Sequence, residues 1–74
     1  MDHQPSLPDL SAELFAEALR RTQAEFREMP GLKLTEAQVA RLLSFDSALC
    51  SAVLTTLVDE HFLMRTRDTF QRAS

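Results

Sequence analysis

The sequence predicts a mainly α fold: three helices, the second and third joined by a tight turn, then a short C-terminal β-hairpin. Three observations predict it. Apolar residues recur at helical spacing from Leu14 to Met29. Two helix starts, one at Thr35-Glu36-Ala37-Gln38 and one at Asp46, stand close together on either side of Ser44-Phe45. From Phe62 to Arg72 the helical spacing gives way to an extended pattern with turn residues in its middle.

Residues 1–8 contain Pro5 and Pro8 and little to bury, so they read as a flexible tail. Residues 9–74 then form one domain. Helix one is expected from Asp9 to Met29, with Leu14, Phe15, Ala18, Leu19, Thr22, Phe26 and Met29 on one stripe. Glu17 and Arg21 stand four apart on its outer face, a favourable pair. Pro30-Gly31 ends it, because proline cannot continue a helix and glycine tolerates the turn.

Helix two opens with a capping box: Thr35 covers an unpaired N–H and Gln38 reaches back. Leu34 and Val39 form the matching hydrophobic staple. This helix runs to about Leu43 and is expected to bury Val39, Leu42 and Leu43. Asp46 caps helix three, its carboxylate set against the positive helix start. Helix three runs to about Glu60, with Leu49, Val53 and Leu57 as its main buried line and Cys50, Leu54 and Val58 beside it. So wide an apolar surface implies a central helix with neighbours on several sides. In the hairpin, the turn is expected at Asp68-Thr69, although β-branched Thr69 is a poor turn residue.

Helices two and three match the spacing of a helix-turn-helix. Val39 faces inward, and Ala40 follows where the helices approach too closely for a larger side chain. Leu43 and Phe45 plug the turn around Ser44, and Cys50 and Val53 face inward from the next helix. The run Leu57-Val58-Asp59-Glu60-His61-Phe62-Leu63-Met64-Arg65 resembles the end of the recognition helix and the entry to the wing in winged-helix proteins. A glycine in left-handed geometry usually stands where His61 is. Residues 30–72 are similar to small bacterial winged-helix proteins, many of unassigned function. Pro30, Gly31, Leu32, Leu34 and Thr35 match the start of their typical run. Arg65, Arg67 and Asp68 match its end, which Thr69 breaks. The resemblance implies a winged-helix fold and a DNA-binding protein of regulatory or accessory type, acting in transcription.

The resemblance would place Ser47, Ala48, Ser51, Ala52 and Thr55 toward the major groove. Specific readout favours Arg, Lys, Asn and Gln, and none occurs between Asp46 and Glu60. Lys33, Arg41, Arg65, Arg67 and Arg72 are the candidate phosphate anchors. With Ser47, Ser51 and Thr55 they make up the expected DNA-binding set. The charge balance cuts the other way. The net charge is -3 and the pI near 5.2, whereas non-specific nucleic-acid affinity needs clustered bases. Residues 1–32 set three arginines against six acids, and residues 33–74 set five bases against five acids. An acidic front half and a neutral groove face also suit a protein partner, which is the alternative reading. Leu10 and Leu14 offer a possible homodimer seam.

No enzyme is expected. Cys50 and His61, if on one helix, would stand roughly 16 Å apart at about 1.5 Å per residue, beyond hydrogen-bond reach. Asp59, Glu60 and His61 are adjacent and point apart, so no metal site is expected. One glycine in the chain leaves no phosphate-cradling loop, and no cofactor is expected. Leu43-Ser44-Phe45-Asp46-Ser47 resembles the Leu-Gly-x-Asp-Ser of acyl carrier proteins, in which the serine bears a phosphopantetheine arm. Here Ser44 replaces the glycine, and too little chain follows helix three for a carrier's closing helices. A lone cysteine suits a reducing compartment. No long apolar run and no basic-apolar leader occur, so a cytoplasmic protein without a membrane partner is expected.

Overall fold

A computed structural model of the chain describes residues 10–73. The expected tail, Asp9 and Ser74 lie outside the described residues. The element order is α1 (Leu10–Glu28), β1 (Leu34–Thr35), α2 (Glu36–Leu43), α3 (Ser47–Asp59), β2 (Leu63–Thr66) and β3 (Thr69–Arg72). This is the expected mainly α fold, a helix-turn-helix core with a C-terminal hairpin of winged-helix type.

The turn between α2 and α3 follows from its capping residues. Thr35 accepts the Gln38 N–H at 3.1 Å, and the Gln38 Oε1 accepts the Thr35 N–H at 2.8 Å. Ser44 ends α2 in the left-handed region at φ 60°, and the Phe45 N–H reaches back to the Ala40 carbonyl at 2.9 Å. Asp46 then accepts the Leu49 N–H at 2.8 Å and starts α3. The chain bends by 114° between the two helices, within the usual range for this motif.

Helix α3 ends as the missing-glycine argument requires. His61 has φ 64°, its N–H bonds to the Val58 carbonyl at 3.0 Å, and the Phe62 N–H bonds to Leu57 at 2.9 Å. Together these bonds form a Schellman closure. It turns the chain into β2, so Leu63 enters the core.

The core draws Ala18 and Phe26 from α1, Val39 and Leu43 from α2, and Leu63 and Phe70 from the sheet. Helix α3 supplies Cys50, Val53, Leu54 and Leu57, and so is the central helix. Leu49 and Val58 are only half-buried, which shifts the buried line to Cys50, Val53, Leu54 and Leu57. Buried Thr22 satisfies its hydroxyl on the Ala18 carbonyl at 2.8 Å.

Several expectations need correction. Leu14 is 64% exposed, Met29 47% and Leu42 51%. Leu14 lies one turn before Ala18, where the core has not begun. Met29 lies past the helix end. An eight-residue helix presents one narrow face, and Val39 and Leu43 occupy it. Glu17 pairs with Arg20 rather than Arg21. Arg21 instead donates to the Leu43 carbonyl at 3.2 Å and lies over the Phe45 ring at 5.5 Å. An exposed ion pair contributes little, whereas carbonyls at a helix end lack intrahelical partners and attract a cation. Gly31 is not at positive φ, and a Cβ there would meet nothing within 4 Å.

The sheet also departs from expectation. It has three strands in the order β1-β3-β2, with Leu34 opposite Phe70 and Thr35 opposite Thr69. Thr35 ends β1 and caps α2 at once, because a cap residue is already extended (φ -75°, ψ 165°). The hairpin turn is Arg67-Asp68, since Thr66 pairs with Thr69. Positive φ falls on Arg67, at 59°. This leaves β-branched Thr69 extended, as it prefers, with its hydroxyl on the Thr66 carbonyl at 3.0 Å.

Candidate nucleic-acid interface

The solvent face of α3 is set by what the core takes. With Cys50, Val53, Leu54 and Leu57 buried, Ser47, Ala48, Ser51, Ala52 and Thr55 are all exposed. No side chain on this strip is larger than threonine. The strip ends at exposed Asp59.

Beside it, the hairpin closes a cleft of about 230 Å³, lined by Glu36, Ser51, Leu54, Thr55, Val58, Asp59, Arg65 and Phe70. The pairing places Arg65 opposite Phe70, on the face of the sheet that carries Leu63. Its guanidinium lies over the Phe70 ring at 5.4 Å, and its Nε donates to the Arg67 carbonyl at 3.1 Å. One expected cation, Arg65, thus meets two expected hydroxyl residues, Ser51 and Thr55. Arg67 is exposed at the hairpin tip.

The other expected residues sit elsewhere. Lys33 is exposed just before β1. Arg41 lines a separate open groove with Met29, Leu32, Leu34, Gln38 and Leu42. Arg72 is half-buried, with its guanidinium over the Phe62 ring at 4.5 Å. It is a packed side chain at the hairpin base, because pairing opposite Leu63 turns it inward.

Two acids in the cleft, Glu36 and Asp59, were not among the expected site residues. Asp59 follows Thr55 by one turn on the same polar stripe, which is a signal visible in the sequence. Glu36 reaches the cleft only because α2 starts beside α3. Its carbonyl also accepts the Cys50 thiol at 3.5 Å. Burial, with the Glu36 charge as a lesser cause, pushes that thiol from 9.0 up to about 11. Cys50 is therefore a protonated core side chain at neutral pH, not a nucleophile.

Among the described residues, no three His, Cys, Asp or Glu side chains gather as metal ligands. No single described helix is long and apolar enough to cross a membrane. After α3 the chain forms β2 and β3, where an acyl carrier would place helices.

No protein-family model, curated protein or solved structure matches the chain.

Proposed function

We propose that the domain binds duplex DNA through the exposed face of α3 and the hairpin tip, as a small regulatory or accessory protein. One observation carries this reading: the strip Ser47, Ala48, Ser51, Ala52 and Thr55 is wholly exposed, and Arg65 lines the cleft beside it. Small side chains let a helix backbone come close to base edges in a major groove. Arg65 and Arg67 would hold the phosphates at the groove's edge, with Lys33 and Arg41 as outer contacts. Hydroxyls discriminate weakly between bases, so affinity is expected to be electrostatic and tolerant of sequence. Four phosphate contacts would give a slope of about -3 to -4 in log K against log salt.

The test is fluorescence anisotropy with a random duplex at low and at moderate salt. Binding is expected at low salt and should fall steeply as salt rises. Arg65→Ala with Arg67→Ala should weaken it for all sequences alike. A flat titration at low salt discards the reading. A loss confined to one sequence reassigns the two arginines from phosphates to bases.

A second reading has its own observation. Leu42 and Met29, both about half exposed, line an open groove of about 370 Å³ with Leu32 and Leu34. Apolar surface of this kind suits a protein partner. On that reading duplex titrations stay flat, and Leu42→Asp abolishes docking without loss of helicity.

A further inference from the structure

Exposed apolar surface lies at both ends of α1. Leu14, in its first half, is 64% exposed, and Met29, just past its end, is 47% exposed. Met29 lines the open groove of about 370 Å³ together with Leu32, Leu34 and exposed Leu42. Single exposed apolar residues are ordinary, but several along one groove mark an interaction surface.

The charges at the two ends are opposite. Arg41 lines the groove, no carboxylate does, and Arg41 makes no ion pair among the described residues. The first half of α1 carries the reverse. Glu13 and Glu17 flank Leu14 and are exposed, and no Lys or Arg precedes Arg20 in the chain. The exposed pair of Glu17 with Arg20 is weak enough to exchange. An apolar groove with a cationic wall thus has its complement, an apolar and acidic helix segment, in the same chain. That segment cannot fill its own groove, because Leu14 stands roughly 22 Å from Met29 along a rigid helix at about 1.5 Å per residue. Both surfaces nonetheless lie toward one side of the molecule. Leu14 stands about two turns before Arg21 on the same line of α1, and Arg21 reaches the Leu43 carbonyl at the end of α2. Leu14 therefore points to the side on which α2 lies, and α2 supplies Arg41 and Leu42 to the groove.

We infer that the groove receives the first half of α1 from a second copy of the chain, and that two copies dock reciprocally. One helix carries the docking segment at its start and the groove at its end, so two antiparallel copies satisfy both contacts at once and close as a twofold dimer. Leu14 of one copy packs on Leu42 of the partner subunit, and Glu17 meets the partner's Arg41. The patches are small, so the dimer is weak and concentration-dependent. It rests on the groove as a protein-docking surface and names the partner. It leaves the α3 face free, since Ser47, Ser51 and Thr55 line no part of the groove. It moves Arg41 from an outer phosphate contact to the dimer interface.

Sedimentation equilibrium of the full chain, from micromolar to millimolar concentration, tests this. The mass is expected to rise from 8.4 kDa toward twice that value. Leu14→Lys and Leu42→Asp should each weaken association by about tenfold or more, with helicity unchanged in circular dichroism because both residues are exposed. Arg41→Glu and Glu17→Lys should each be monomeric alone and form a dimer when mixed, since the mixed pair restores opposite charges at both contacts. A mass of 8.4 kDa at every concentration overturns the dimer and leaves the groove to a foreign partner. A dimer that survives both Leu14→Lys and Leu42→Asp lies on another surface and overturns the reciprocal docking. Mixed charge variants that stay monomeric overturn the pairing of Glu17 with Arg41.

Discussion

Among the described residues, Ser44 at φ 60°, His61 at 64° and Arg67 at 59° occupy the left-handed region without being glycine. Each costs on the order of 1 kcal/mol in steric conflict that glycine would not meet. The chain's glycine, Gly31, sits where no such conformation is needed. Ser44→Gly and His61→Gly should each raise stability in urea by about 1 kcal/mol, less the added freedom of the unfolded chain. Gly31→Ala should be neutral or gain a few tenths of a kcal/mol. A loss on His61→Gly would mean that the imidazole makes a contact worth more than its backbone strain. Cys50 gives a pH signature at the same scale. Its thiol ionises near 9.0 when unfolded and about 11 when folded. The folded state therefore keeps its proton longer, and this part of the stability is lost as pH rises from 9 toward 11. Alkylation by iodoacetamide at pH 8 should be no faster than global opening; a faster rate would show local access to Cys50.

At the scale of elements, the two short helices are held by their ends. An eight-residue helix is too short to persist by propensity alone, so α2 depends on the Thr35–Gln38 box, on packing by Val39 and Leu43, and on Arg21 at its C-terminal carbonyl. Asp46→Ala should cost about 1 kcal/mol in urea denaturation, and Asp46→Asn much less, because asparagine also caps. Equal losses for the two would point to the charge at the helix start rather than to the capping bond.

For the molecule as a whole, the balance of charge at the cleft decides how well it could meet DNA. Glu36 and Asp59 line the same cleft as Arg65, and both repel phosphate. Replacing them together, Glu36→Gln with Asp59→Asn, should tighten duplex binding a few-fold, about 0.5–1 kcal/mol at low salt, with the gain shrinking as salt rises. Anisotropy against the same duplex measures it. Unchanged affinity would mean that DNA, if bound, does not lie across α3 and the hairpin.

The sequence by itself determined the local events. Caps at Thr35 and Asp46, the bend at Ser44-Phe45 and the strained end at His61 depend on residues within a few positions of one another, and each was legible. Ser51 and Thr55 were legible as the exposed face because α3 leaves only one polar stripe. Tertiary structure alone decided what depends on distant partners. It paired Leu34-Thr35 with β3, drew Arg21 to Leu43, left Leu42 outside, and brought Glu36 beside Arg65. It also turned Arg72 onto Phe62. A cap needs only its own turn of chain, whereas the partner of a long cation is chosen by whichever acceptor or ring the packed core brings within reach.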